Sequence, residues 1–228
     1  LLSETRRMLC INKPVGLSSF QVVARIRRKT GVKKVGHAGT LDPFASGVLV
    51  VAVGREMTRQ IDGVQAMPKG YTVRMVLGIA TDTLDPEGRV TVVDDNVGAN
   101  SSVLRFLTDP GFQAQVVARW IGEIDQLPPR FSAKKIKGVP MYALARQDQE
   151  FEVKPSRVRI DQIHVIGARL GRFPTVDLQI RCGKGTYIRS LVRDLAQALG
   201  TVGYAQLLVR EFVGDYHLSA AEPLEVCP

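Results

Sequence analysis

Asp42 lies in the stretch Gly36-His37-Ala38-Gly39-Thr40-Leu41-Asp42-Pro43-Phe44-Ala45-Ser46-Gly47, with no other acid within ten residues. Three glycines and a proline in twelve residues predict a tightly folded loop, the kind of segment that carries binding and catalytic groups when rigid elements hold it. A carboxylate among so many cations suits nucleophilic or electrostatic duty. Asp-Pro also initiates turns routinely, and from the loop alone that is the simpler reading.

A second chemistry-bearing stretch is Arg181-Cys182-Gly183-Lys184-Gly185-Thr186-Tyr187-Ile188-Arg189-Ser190. A strand running into Gly-Lys-Gly-Thr and a helix has the outline of a phosphate loop. The spacing rejects it, because Leu178 stands where the first glycine is required and Gly185 separates Lys184 from Thr186. Exposed amides at such a helix start still suit a nucleic-acid phosphate. Arg189, one turn in, is placed to face a carboxylate, although a surface arginine is the plainer reading. A third stretch, Pro129 to Gly138, mixes Arg130, Lys134, Lys135 and Lys137 with Phe131, a composition that tracks a phosphate backbone. His37, His164 and His217 are isolated from one another and from other ligand types, so no metal site is expected. On pattern alone Tyr71 is a routine sheet aromatic.

These segments need positioning elements. Met8 to Asn12 reads as a short strand, and Ser18 or Ser19 caps a helix running to Thr30 that Gly31 stops. Val22, Val23 and Ile26 share one face of it, while Arg25, Arg27, Arg28 and Lys29 lie elsewhere on it. Strands follow at Gly47 to Val53 and Tyr71 to Leu77, then a helix over Ser102 to Ile121 interrupted at Pro110-Gly111. An edge strand over Arg130 to Ile136 and a short helix at Pro140 to Arg146 come next. Strands at Phe151 to Arg169 and Pro174 to Cys182, a helix at Thr186 to Leu199 and a strand at Gln206 to Val213 complete the chain. Without regular βαβ alternation, the expected class is α+β, a mixed and mainly antiparallel sheet flanked by helices and loops, in one domain over 1–228.

Composition narrows the partner. The 228 residues are 45% apolar and 23% charged, which excludes wholesale disorder, a collagen repeat and a coiled-coil rod. No apolar run reaches the length of a membrane span. Three cysteines without C-x-x-C spacing read as reduced thiols. Leu1 to Cys10 lacks the apolar core of a secretory signal, so the expected location is the cytoplasm. The net charge is +9, and residues 1–60 hold eleven basic residues against three acids, Glu4, Asp42 and Glu56. That lopsided +8 suits a polyanion, most simply nucleic acid, or else a solubilising surface.

Taken in order, several runs resemble the bacterial TruB-type tRNA pseudouridine synthases. They are Asn12-Lys13-Pro14-x-Gly16-x-Ser18-Ser19, the Gly36–Gly47 loop, Lys69-Gly70-Tyr71 with Leu77-Gly78, and Thr81-Asp82-Thr83 with Asp85-x-x-Gly88. Further on come Pro128-Pro129-x-Phe131-Ser132-Ala133, Tyr142-x-x-Ala145-Arg146 and Cys182 to Arg189. The likeness extends from Cys10 to about Tyr216. Departures include Gly70, where the family commonly has a larger residue, Ser46 for Thr, and Val209 where a basic residue is frequent.

The resemblance implies isomerisation of uridine to pseudouridine in the T arm of tRNA, at position 55, by flipping the target base, and a monomer is the default expectation. It makes Asp42 the essential carboxylate, pairs Arg189 with it, and sets Tyr71 to stack on the base and take part in proton removal. His37 is implied to shape the RNA near the flipped nucleotide, with Tyr187 and Leu208 lining the pocket, although the Leu207-Leu208 pair leaves that register open. Lys13 and Lys135 take supporting or RNA-binding roles. No group is lost and no redox change occurs, so neither metal nor organic cofactor is expected. Many relatives continue into a PUA domain, and with about a dozen residues after Tyr216 none is expected here. The rival reading is an RNA-binding or RNA-folding protein that keeps the scaffold without catalysis.

Overall fold

The computed structural model describes residues 7–136, 138–147 and 149–224, apart from the side chain of Lys135. In chain order it begins with β1 (Arg7–Lys13), α1 (Ser19–Thr30), β2 (Val35–His37) and β3 (Ser46–Val53). Next come α2 (Arg55–Thr58), α3 (Ile61–Ala66), β4 (Lys69–Leu77), β5 (Ile79–Thr81), β6 (Val90–Val93), α4 (Ser101–Thr108) and α5 (Pro110–Ala118). Then follow β7 (Gly122–Gln126), β8 (Lys135–Ile136), β9 (Val139–Pro140), α6 (Met141–Arg146), β10 (Ser156–Arg169) and β11 (Thr175–Cys182). The chain closes with α7 (Ile188–Ala198), β12 (Gly203–Val213), β13 (Tyr216–His217) and β14 (Glu222–Pro223). The class is α+β. The chain divides into two compact units, one of residues 1–72, 181–184 and 208–228, the other of 73–180 and 185–207.

In the first unit β3 is the central strand. It pairs antiparallel with β1 from Arg7↔Val53 to Lys13↔Gly47. Its far end also pairs with β2, and its first residues run parallel to β12 at Val209↔Ser46 and Arg210↔Gly47. Leu49, Val51 and Val53 pack with Leu9, Ile11 and the α1 residues Val22, Val23 and Ile26, while Val48 and Val50 pack with Ala38, Val64 and Val213. Burial on both faces explains why the strand reads as an unbroken apolar run rather than an alternating one. Helix α1 begins with a reciprocal cap, in which the Gln21 N–H donates to Ser18 Oγ and the Ser18 N–H donates to Gln21 Oε1. It ends at Gly31, whose φ of 68° is left-handed.

The second unit carries the antiparallel pair β10–β7, from Ser156↔Gln126 to Ile160↔Gly122, and the small pairs β5–β6 and β8–β9. The single interrupted helix expected over Ser102 to Ile121 is two helices here. Asp109 breaks the first and caps the second, accepting from the Gly111 and Phe112 N–H groups, with Pro110 in the first turn where no N–H is needed. The expected edge strand over Arg130 to Ile136 shrinks to Lys135–Ile136. Pro128 and Pro129 offer no N–H for a ladder, and the Phe131 carbonyl is already engaged by Arg189.

Candidate active site

Asp42 sits half-buried at the crown of an arch between β2 and β3, and nearly every peptide beside it is fixed by a distant group. On its N-terminal side, Ser19 Oγ brackets Leu41, accepting from its N–H at 2.9 Å and donating to its carbonyl at 3.0 Å. Ser19 is the residue after the α1 cap, so the buried start of that helix holds the residue preceding the aspartate. On the C-terminal side, the Pro43 carbonyl accepts from the Gly16 N–H at 2.8 Å and from Lys13 Nζ at 3.4 Å. The Ala45 N–H donates to the carbonyl of Asp42 itself at 3.1 Å. Further down both stems, the buried Arg210 guanidinium meets the carbonyls of Gly39, Thr40 and Val48. The arch is therefore held through its backbone largely by groups outside it.

Several expected site residues lie in this same unit. Tyr71, on β4, is 8% exposed, with the buried Arg210 among the charges that act on it. Burial pushes the phenol up from its usual range; the Arg210 charge opposes that, while Cys182 and the Asp42 carboxylate add to it. Tyr71 is thus a neutral phenol at pH 7. His37, the last residue of β2, is pushed below its ordinary value by burial first and then by Arg210, so it is a neutral imidazole whose buried Nδ1 has no hydrogen-bond partner. Of the Leu207-Leu208 pair, Leu207 is exposed and Leu208 is buried at 5%. Lys13, expected in a supporting or RNA-binding role, is the last residue of β1. It is wholly buried, and its ammonium donates to the Pro14 and Leu17 carbonyls at 2.8 and 2.6 Å, which makes it a brace for the turn rather than a surface cation. At Gly70 a Cβ would fall 2.0 Å from the Phe212 ring, so this departure from the family pattern is matched by a nearby aromatic.

Tyr187, Arg189 and Lys135 belong to the second unit. Arg189, 3% exposed, donates to the Thr83 carbonyl at 2.6 Å, to Asp85 Oδ2 at 3.1 Å and to the Phe131 carbonyl at 3.0 Å. Asp85 is its carboxylate partner within this unit, a role that the sequence motifs do not assign. Asp85 also accepts from Thr83 Oγ1 and from the Glu87 N–H. Gln126, 1% exposed, grips the backbone of Tyr187 at both ends, accepting from its N–H at 2.8 Å and donating to its carbonyl at 3.1 Å. Ser190 Oγ and Arg193 both donate to the Leu127 carbonyl. The first turn of α7 is thus laced to the Gln126–Phe131 segment. Lys135 falls in β8, and its side chain lies outside the described residues.

The first unit thus gathers an arginine-braced carboxylate loop and a buried phenol, and the second carries a firmly laced helix start. Among the described residues, no three metal-ligating side chains cluster, and no helix is long and apolar enough to cross a membrane. Comparison with known proteins is consistent with this chemistry. Residues 27–188 match the model of the TruB family pseudouridylate synthase N-terminal domain. The chain is 41% identical over 220 residues to tRNA pseudouridine synthase B of Caulobacter sp. (strain K31), covering 95% of this chain and 66% of that protein. It is 42% identical over 219 residues to tRNA pseudouridine synthase B of Mycobacterium sp. (strain KMS), covering 96% of this chain and 70% of the relative. Among solved structures, a Cbf5-Nop10-Gar1 complex shares the fold at a TM-score of 0.66 and 26% identity, over 97% of this chain and 53% of that one. Sequence motifs, fold and relatives agree, and the chain belongs to the TruB family of pseudouridylate synthases.

Proposed function

We propose that this chain isomerises uridine to pseudouridine in tRNA, in the T arm at position 55, working as one catalytic domain and as a cytoplasmic monomer. The observation that carries the reading is the Asp42 arch, whose flanking residues Leu41 and Pro43 are pinned by Ser19, Gly16 and Lys13, so that the carboxylate is presented from a fixed backbone. The reaction breaks the bond from the sugar C1′ to N1, turns the uracil, and forms a bond from C1′ to C5. The proton leaving C5 is balanced by one gained at N1, so the formula is unchanged and no cofactor enters.

Asp42 supplies the carboxylate, as nucleophile or as counter-charge to the sugar cation. Tyr71 offers a flat, buried ring for the extruded base, with a hydroxyl that handles protons. His37, as a neutral imidazole, fits hydrogen bonding to RNA rather than phosphate pairing. Arg189 and Tyr187 bring the start of α7 to the same reaction, Leu208 lends apolar lining, and Lys135 meets RNA. The exposed cations Arg25, Arg28 and Lys29 of α1 contact tRNA phosphates.

The test is Asp42→Asn, which is nearly isosteric and keeps the turn. Single-turnover pseudouridine formation should vanish while tRNA binding stays within a fewfold of wild type. An Asn variant that isomerises uridine at near the wild-type rate would overturn the assignment, and a wild-type protein that binds tRNA without converting it would mark a binder.

A further inference from the structure

We infer that Arg210 is a positioning residue for the reaction: its buried guanidinium sets the height of the Asp42 arch. The inference rests on the pseudouridine synthase reading and extends it to a residue outside the motif loop. Arg210 is 1% exposed and is the largest wholly buried side chain in the molecule's described part. Its backbone pairs with Gly47, the residue at which the arch rejoins β3. The fit there is so close that a Cβ on Gly47 would lie 2.3 Å from the Arg210 carbonyl oxygen, and Gly47 also holds a φ of 103°.

From that anchor the side chain reaches across the base of the arch. Nε donates to the Val48 carbonyl at 2.7 Å, past the arch's end, and Nη2 and Nη1 donate to the Gly39 and Thr40 carbonyls at 3.2 and 3.3 Å, before its crown. One planar group therefore spans both stems. The same positive charge opposes the upward push that burial gives the Tyr71 phenol. Burying a charge against neutral carbonyls is a poor way to gain stability, and an apolar side chain would serve a purely structural need better. A fork of fixed geometry is what such a place uses, because it sets several acceptors at once, and lysine cannot reproduce it. The carboxylate proposed to act on the substrate thus stands on a loop whose two stems one side chain ties together.

The test compares wild type, Arg210→Lys and Arg210→Ala in single-turnover pseudouridine formation and in tRNA binding. Wild-type conversion in the same assay shows that the functional reading holds. Arg210→Lys should lose about 100-fold in rate with tRNA affinity within threefold. Added guanidinium ion should restore Arg210→Ala at least tenfold while leaving Asp42→Asn inactive. A wild-type measurement needs no variant to fold: the Arg210 Nη protons should be separately resolved by NMR and exchange slowly with water. Rates within threefold of wild type in both variants, a loss lying wholly in tRNA affinity, or freely rotating and exchanging Nη protons would each overturn the inference.

Discussion

Arg189 and Arg210 are both almost wholly buried, yet their charges are met in different ways. Arg189 faces a carboxylate, Asp85 at 3.1 Å, along with the carbonyls of Thr83 and Phe131. Arg210 donates to the carbonyls of Gly39, Thr40 and Val48. In the first case a change of partner charge is possible by mutation, so the pair is a balance of ionic terms. In the second the acceptors are chiefly peptide groups that no substitution removes, so the geometry of the arginine itself is what mutation can change. The second unit therefore guards charge at its buried arginine, and the first guards shape.

The largest break in that contrast is expected at Asp85. Asp85→Asn withdraws a buried carboxylate from Arg189 and should cost about 3–5 kcal/mol in urea unfolding. The double variant Asp85→Leu, Arg189→Met should recover much of that loss while remaining inactive, because a buried pair removed whole is replaced by packing. Equal instability of the single and double variants would show that shape, not charge, dominates there too.

Next in size is a pH effect at Lys69, the cation beside Arg210. Burial, then Arg210 and Lys184, hold its ammonium at about 8 instead of the usual 10.5, with Cys182 pulling the other way. Between those values the unfolded chain keeps the proton that the folded one has lost, so this group's contribution to stability rises with pH through that window. Lys69→Met should abolish the rise. The wild-type minus variant difference should grow by up to about 3 kcal/mol between pH 7 and 10.5, read from unfolding at each pH. A difference that is flat with pH would place Lys69 in an ordinary environment.

Ser19→Ala is a smaller test of the shape argument. It frees both backbone groups of Leu41 and should cost about 1–2 kcal/mol, with a fall in pseudouridine rate and no change in tRNA affinity. Smallest for the folded state is replacement of the exposed cations Arg25, Arg28 and Lys29 together. It should flatten the salt dependence of tRNA binding by about one unit of log–log slope for each phosphate that is no longer neutralised. An unchanged slope would leave those cations as a solvated face.

Much of this is readable in the amino-acid order. The Gly36–Gly47 loop announces itself by glycine, proline and an isolated acid, and α1 by its Ser18 start, apolar stripe and Gly31 stop. The family motifs carry Asp42, Tyr71 and Arg189. The braces are not readable. Arg210 meets Gly39 and Thr40 across some 170 positions of sequence, and Asp85 meets Arg189 across 104. A backbone carbonyl has no letter in the sequence, so a side chain that binds one leaves no spacing to recognise. Ser19 is legible as a helix-start residue but not as a clamp on Leu41, for the same reason. The family pattern singles out Val209 as a departure, although the neighbouring cation is the one turned inward.

The contact between Gly70 and Phe212 bears on how such a chain can change over generations. A methyl group at 70 would stand 2.0 Å from the Phe212 ring, whereas the present pair fits. The two positions are therefore coupled: growth at 70 requires the Phe212 ring to move or to be replaced. A larger residue at 70 is easier to accept in a chain whose residue 212 is smaller than phenylalanine.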